Sequence, residues 1–216
     1  MSRQLRVAVV EDHPLYREML VATLSGRPEL EIVAVADGAR QARSLIEPGA
    51  VDVALLDVEL PDGNGVALGI QLRRRDPRIG ILLLSGQDVM ELLLDLPPDV
   101  RRGWSYLSKG SAVSVEDVTR AIRATARGVT VIDPELARRA VPRRGSALSR
   151  LTDRQLEVLQ LAAVGLSNAG IAERLGISAG SVENRLNLVY EALELPEGHN
   201  SRVSAVLRFI EETSRG

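Results

Sequence analysis

The chain has 216 residues, 45% of them hydrophobic and 26% charged, with a formal net charge of −2. These fractions exclude a disordered or fibrous chain, and the length favours two small domains. Cysteine is absent and only two histidines occur, so disulfides and thiolate sites are excluded and a metal site would need oxygen ligands. No run reaches the roughly 20 apolar residues of a membrane helix, and the apolar run near residue 5 is too short for the h-region of a signal peptide. We therefore expect a cytoplasmic protein without a membrane partner.

The first part of the chain, up to residue 127, alternates between strand-like and helical patterns. Short apolar runs predict strands at residues 5–10, 31–36, 53–57, 79–84 and 104–107. Apolar residues at helical spacing predict helices at residues 14–25, 39–46, 66–75, 89–95 and 115–127. Strands that alternate with helices form a parallel sheet covered on both faces, so we predict an α/β domain that is doubly wound. Such sheets bind ligands beyond the carboxyl ends of their strands.

Residues 128–147 predict an arginine-rich linker, because they contain two prolines, two glycines and no sustained period. A short helix is expected at residues 135–140. Beyond the linker all patterns are helical, which predicts a four-helix domain at residues 148–216. Thr152 and Gln155 form a capping box before a helix at 153–164, while Ser167 and Ser178 cap helices that end near residues 175 and 193. The last helix is expected at about 202–212.

Three carboxylates follow strands of the first domain. Glu11 and Asp12 come directly after the first strand, and Asp57 ends the third. Because the carboxyl ends of parallel strands meet at one edge of the sheet, these side chains should converge there. Converging like charges repel, and a hard divalent ion such as Mg²⁺ would relieve the repulsion. Taken singly, each acid is more often a solvated loop residue or a helix N-cap.

Two further side chains belong to the same edge. Ser85 ends the fourth strand, and Lys109 follows the fifth. Lys109 is the only lysine among the 27 basic residues. A compact ammonium fits a narrow pocket that a guanidinium fork would not. Together with the three carboxylates, these residues predict a site that accepts a phosphoryl group rather than a hydrolase.

The segments VVEDHPLYREML, LLDVELPDGNG, LLLSG and YLSKG resemble the receiver domain of bacterial two-component response regulators. The resemblance covers residues 5 to about 125 and implies a flavodoxin-like (βα)5 fold. It implies a Mg²⁺ site with oxygen ligands from Glu11, Asp12, Asp57 and the backbone carbonyl of Glu59. Asp57 would then accept a phosphoryl group from a histidine kinase, Ser85 would hydrogen-bond the phosphate and Lys109 would pair with it. Tyr106 matches the family's switch aromatic, although a half-buried packing role is also compatible.

The segment LTDRQLEVLQLAAVGLSNAGIAERLGISAGSVENRL has two short helices joined by a tight turn, as in a helix-turn-helix motif. It resembles the LuxR-type domain of NarL/FixJ response regulators over residues 148–212. The resemblance implies that residues 178–193 form the recognition helix, with Val182 and Leu186 packed inward. The polar face that would contact DNA consists of Ser181, Glu183, Asn184, Arg185 and Asn187.

The recognition helix departs from the family pattern, which usually has Thr-Val-Lys where this chain has Ser181, Val182 and Glu183, and a basic residue in place of Glu191. Acidic residues there weaken the attraction to phosphates that supplies most non-specific affinity. Three interpretations stay open. Asn184 and Arg185 could read bases while Glu183 accepts from a cytosine amino group. The module could instead bind protein or dimerise. Alternatively, backbone contacts could come from linker arginines, namely Arg138, Arg139, Arg143 and Arg144.

The leading hypothesis is a response regulator, a switch rather than a turnover enzyme. Phosphorylation of Asp57 would rearrange the face near Tyr106 and either free the C-terminal module or promote a homodimer, and the helix-turn-helix would then bind promoter DNA. The alternative is a signalling protein whose atypical acidic module binds protein. A third hypothesis is a phosphatase of the haloacid dehalogenase type. Such an enzyme needs an aspartate two residues after the nucleophile, where this chain has Glu59.

Overall fold

The computed structural model describes residues 3–86, 93–97, 99–101, 103–110, 114–195 and 200–213. Its centre is a parallel five-stranded sheet with the spatial order β2-β1-β3-β6-β7, which is the order of flavodoxin-like folds. The sheet strands are β1 Leu5–Val10, β2 Leu30–Ala36, β3 Val53–Asp57, β6 Gly80–Ser85 and β7 Trp104–Ser108. A two-residue hairpin, β4 Glu59–Leu60 with β5 Gly63–Asn64, follows β3. The predicted α/β class and sheet are thereby confirmed.

Helices cover both faces of this sheet because side chains of each strand alternate between two cores. Val7 and Val9 of β1 lie in a cluster with α1 and α4, whereas Ala8 and Val10 lie in a cluster with α2 and α3. The bounds are α1 Pro14–Ser25, α2 Ala39–Leu45, α3 Gly65–Arg75 and α4 Val115–Ala126. The helix predicted at residues 89–95 lies largely outside the described residues.

The C-terminal part is helical, as predicted. Its elements are α5 Pro134–Arg139, a 3-10 turn Ala147–Arg150, α6 Asp153–Ala163, α7 Asn168–Leu175, α8 Ala179–Ala192 and α9 Ser201–Thr213. Thr152 and Gln155 form the expected capping box, and the hydroxyls of Ser167 and Ser178 cap α7 and α8. Gly176 ends α7 in the left-handed conformation, which lets the chain turn into α8. None of the helices in the described residues has the length and apolarity needed to cross a membrane.

Residues 129–133 of the predicted linker are packed rather than loose, and we call them the strap. The strap lies along β7, one of the two edge strands of the sheet: Tyr106 N donates to Val131 O at 2.8 Å, and Val131 N donates to Ser105 Oγ at 3.0 Å. Ile132 N donates in turn to Ala163 O, at the end of α6, at 2.9 Å. Val131, Ile132 and Asp133 are at most 2% exposed. The strap therefore joins the sheet to the helical domain by direct bonds.

Candidate functional site

Three carboxylates meet at the carboxyl edge of the sheet. Glu11, Asp12 and Asp57 each offer an oxygen, and these oxygens lie within 4.8 Å of one another. Glu11 and Asp57 are buried, and Asp12 is exposed. The cluster therefore has an open side through which an ion could enter. A set of hard oxygen donors with this spacing fits Mg²⁺.

Lys109 neutralises part of this negative charge. Its Nζ lies 2.6 Å from Glu11 Oε2 and 2.9 Å from Asp57 Oδ2. Its backbone N donates to Ser85 O at 2.7 Å, which fixes the chain at the end of β7. Burial raises the pKa of Glu11, and the Lys109 ammonium opposes that rise only in part. Burial alone would lower the pKa of Lys109, but its bonds to Glu11 and Asp57 raise it overall, so the ammonium stays charged.

The two remaining predicted residues lie on neighbouring strands. Ser85 ends β6 with 1% of its surface exposed, one position after the residue that pairs with Asp57. Tyr106 of β7 is opposite Leu83 and is fully buried, not half-buried as the packing alternative supposed. It belongs to the same hydrophobic cluster as Ile132 of the strap. The ring therefore lies in the core that the receiver shares with the helical domain.

The loop after β3 is held close to Asp57. Glu59 N donates to Asp57 Oδ1 at 3.2 Å, and its side chain is exposed. The role of the Glu59 carbonyl as a ligand stays a prediction. Gly65, the first residue of α3, leaves no room for a side chain, because an added Cβ would lie 1.9 Å from Asp57 O. Glycine thus lets α3 begin directly against the strand end that carries Asp57.

Sequence reasoning missed three residues near the site. Arg17 donates to Glu11 O at 2.6 Å and to Asp12 O at 3.0 Å, which braces the acidic loop. The ring of Tyr16 has its centroid 4.9 Å from Lys109 Nζ, and burial raises the pKa of its phenol. His13 is the N-cap of α1 and accepts from Tyr16 N at 3.5 Å. All three follow from the position of α1, which a single sequence does not reveal.

The predicted DNA-contacting face of α8 is open to solvent. Glu183, Asn184 and Asn187 are exposed, and Ser181 and Arg185 are half-exposed. Val182 and Leu186 are buried against α6 and α7, as predicted. Glu183 has no ion-pair partner within the described part of the chain. The face therefore combines amide, guanidinium and carboxylate groups, of which those of Glu183, Asn184 and Asn187 are the most exposed.

Most of the linker arginines contact this chain itself. Arg139 pairs with Glu135, Arg138 donates to Pro134 O, and Arg143 donates to backbone oxygens of Glu211 and Glu212. Arg144 is exposed. Stabilisation of α5 and of the end of α9 accounts for these arginines at least as well as contact with DNA phosphates.

Comparison with known proteins gives the same two parts. A family model described as "Response regulator receiver domain" matches residues 7–111, and one described as "Bacterial regulatory proteins, luxR family" matches residues 149–207. The DNA-binding transcriptional activator DevR/DosR of Mycobacterium tuberculosis (strain ATCC 25618 / H37Rv) is 31% identical over 212 residues, which cover 93% of this chain and 94% of that protein.

Solved structures show the fold as well. The match to the signal receiver domain of the response regulator NarL from Mycobacterium tuberculosis includes 59% of this chain and 99% of the solved domain, with a TM-score of 0.51 and 29% identity. The response regulator RcsB of Salmonella typhimurium covers 97% of this chain and 99% of its own, with a TM-score of 0.55 and 19% identity. The chain therefore belongs to the response regulators of the NarL/FixJ type, in which a receiver domain is followed by a LuxR-type DNA-binding domain.

Proposed function

We propose that Asp57 accepts a phosphoryl group from a histidine kinase, and that the resulting aspartyl phosphate controls how the C-terminal domain binds promoter DNA. One observation carries the first part: the single lysine of the chain lies 2.9 Å from Asp57 Oδ2 and 2.6 Å from Glu11 Oε2, beside carboxylates spaced for one Mg²⁺. That arrangement supports phosphoryl transfer, which depends mainly on positioning and charge neutralisation.

In the proposed reaction, a carboxylate oxygen of Asp57 attacks phosphorus, the P–N bond of the phosphohistidine breaks and a P–O bond forms. Glu11, Asp12 and Asp57 would hold Mg²⁺, whose charge offsets that of the phosphoryl oxygens. The Lys109 ammonium lies where it can pair with one of those oxygens. The Ser85 hydroxyl ends the neighbouring strand and would donate to another. This is self-modification, since the product remains on the protein.

The strap offers a route from this site to the helical domain. Backbone and side-chain groups of Ser105, Tyr106 and Ser108 on β7 all bond to strap residues, and Ile132 of the strap bonds to Ala163 of α6. Movement of β7 when Lys109 and Ser85 bind phosphate would therefore pull on the strap. The bistable element we propose is the contact between β7, the strap and α6.

We propose that α8 reads DNA in the major groove through Ser181, Glu183, Asn184, Arg185 and Asn187, with a homodimer contacting two half-sites. The exposed polar face of α8 and the similarity to a DNA-binding transcriptional activator support this assignment. A cytoplasmic location and the kinase partner belong to the same proposal. A protein-binding module is a second candidate, favoured by exposed Glu183 and by Leu188, which is 51% exposed on the same helix.

Intact-mass spectrometry after treatment with acetyl phosphate and Mg²⁺ tests the first part. We expect one added phosphate on the wild type and none on Asp57→Asn. Equal labelling of both proteins, or of neither, would contradict it.

Fluorescence anisotropy with promoter fragments from the host genome at low salt tests the second part, with and without acetyl phosphate. We expect tighter binding to a subset of fragments than to random DNA, and loss of that preference in Arg185→Ala. Equal affinity for all fragments, together with protein partners that survive nuclease treatment, would favour the protein-binding candidate.

A further inference from the structure

Three groups surround the Lys109 ammonium. Two are the carboxylates of Glu11 and Asp57, and the third is the ring of Tyr16, whose centroid is 4.9 Å from Nζ. The lysine side chain is 19% exposed, so the ammonium is largely removed from water. A cation at this distance from an aromatic ring is attracted by the ring's negative face, and more strongly when water is excluded.

The start of α1 fixes the position of this ring. His13 caps the helix, Pro14 is its first residue, and Arg17 N donates to His13 O at 3.0 Å. The Arg17 guanidinium also bonds the carbonyls of Glu11 and Asp12, which ties α1 to the acidic loop. The ring of Tyr16 packs against the apolar cluster between the sheet and α1 and α4. Tyr16 is therefore placed by the same contacts that place the carboxylates.

We propose that Tyr16 is a positioning residue that holds the Lys109 ammonium at the carboxyl edge of the sheet, where the phosphoryl group on Asp57 would lie. The inference rests on the proposed function. The four-carbon side chain of a lysine is flexible, and restricting its bond rotations before the reaction reduces the entropy lost when the charge is oriented for phosphoryl transfer. The attraction between the ring and the ammonium does not involve the carboxylate charges. It would therefore remain when Glu11 shares its negative charge with a metal ion, whereas the Glu11–Lys109 pair would weaken.

Variants of Tyr16 distinguish the effect of the aromatic ring from the effect of side-chain volume. Tyr16→Phe keeps the aromatic face and removes only the hydroxyl. Tyr16→Leu keeps apolar packing against the cluster between the sheet and α1 and α4 but removes the aromatic face. Tyr16→Met serves as a second non-aromatic variant with a flexible side chain. The fluorescence of the single tryptophan, Trp104, which is buried in β7, confirms that each variant is folded.

The first measurement is direct, because the chain has one lysine. Incorporation of ¹³C,¹⁵N-lysine gives a single set of side-chain NMR signals in the full-length protein. Protons above an aromatic face are shifted upfield by the ring current. We expect the Lys109 ε-proton signals to be upfield in the wild type and Tyr16→Phe, and to move toward those of a free lysine in Tyr16→Leu and Tyr16→Met.

The second measurement is the rate of phosphorylation by acetyl phosphate with Mg²⁺, followed by intact mass. We expect Tyr16→Leu and Tyr16→Met to react about 3- to 30-fold more slowly than the wild type, the range of one partly buried cation–π contact. Tyr16→Phe should stay within about twofold. A merely structural role of the side chain would not produce rescue by Phe together with the change in the Lys109 signal.

The proposal is overturned if the non-aromatic variants fold and react at the wild-type rate, if Tyr16→Phe is as slow as Tyr16→Leu, or if the Lys109 signal is the same in all four proteins. A different result marks failure of the proposed function itself: the wild type then gains no more phosphate than Asp57→Asn. In that case the positioning role falls as well, even where the NMR signals show the ring contact.

Discussion

Replacement of Asp133 tests whether the strap is a structural connection. Its carboxylate is fully buried and makes two kinds of contact. Oδ1 caps α5 by accepting from Glu135 N at 2.9 Å and Leu136 N at 3.4 Å, and Oδ2 accepts from Ser108 N at 3.0 Å. Ser108 directly precedes Lys109, so this one side chain ties the strap to the strand that enters the site.

The magnitudes follow from the two contacts. Loss of an N-cap costs about 1 kcal/mol, and loss of a hydrogen bond to a charged acceptor costs about 1.5–3 kcal/mol. We therefore expect Asp133→Ala to lower the free energy of unfolding by about 2.5–4 kcal/mol. Asp133→Asn is the matched control, because asparagine is an equally good N-cap. Its side chain has only one oxygen, so when that oxygen caps α5 the NH2 group faces the Ser108 N–H, and two donors then oppose each other. This variant should lose about 2 kcal/mol.

Urea denaturation followed by Trp104 fluorescence measures both variants, because the only tryptophan lies on β7, the strand that the strap contacts. Limited proteolysis between residues 134 and 147 gives an independent readout, and cleavage should be faster in both variants. An Asp133→Ala protein within about 0.5 kcal/mol of the wild type would refute the reasoning. So would equal destabilisation by Ala and Asn, since the cap and the tie to β7 would then be inseparable.

Glu11→Gln should weaken Mg²⁺ binding, measured by isothermal titration calorimetry, by at least about tenfold, because loss of an outer-sphere partner alone typically costs that much. Glu59→Gln, which alters only an exposed side chain, should leave Mg²⁺ binding unchanged. Burial would raise the pKa of Asp52, but hydrogen bonds from Arg6 outweigh it and hold that pKa below its usual range. Asp52 therefore stabilises the fold above about pH 4 and loses this effect as the pH falls further. The urea midpoint of Asp52→Asn should depend less steeply on pH between about 5 and 3 than that of the wild type, and an unchanged slope contradicts this. Gly65→Ala should cost at least about 3 kcal/mol in urea denaturation because the methyl group meets Asp57 O, whereas Gly26→Ala, whose added Cβ would be 3.5 Å from its nearest neighbour, should change stability by less than about 1 kcal/mol. Glu183→Lys should strengthen binding to random DNA in anisotropy titrations and steepen the slope of log K against log salt by about 0.9, and an unchanged slope would show that α8 does not approach phosphates.

The sheet could be predicted almost residue by residue, because its strands are short runs rich in apolar residues, with Asp, Gly or Pro close to their ends. The carboxylates of Glu11 and Asp57 were predictable for the same reason, since each comes at a strand end and parallel strands end together. The cap of α5 was also encoded locally, as Asp133 precedes a proline at the first helical position.

Contacts between distant segments were not predictable. Tyr16 meets Lys109 only because the assembled domain brings the start of α1 to the residue that follows β7, and no local pattern around either residue indicates this. Likewise, Val131 and Ile132 form a run too short to be distinguished from a loop. Their partners are Tyr106 and Ala163, each more than 20 residues away along the chain. Hydrogen bonds of this length in sequence depend on the assembled fold.

The position of the strap also bears on where the receiver can be cut. β7 is an edge strand of the sheet, and Val131 and Asp133 accept hydrogen bonds from the amides of Tyr106 and Ser108. A fragment that stops at residue 127 would lose these acceptors and expose the unpaired edge of β7. Exposed strand edges pair with strands of other molecules, so such a fragment should aggregate. A fragment extended through residue 139 keeps this edge covered and should remain monodisperse.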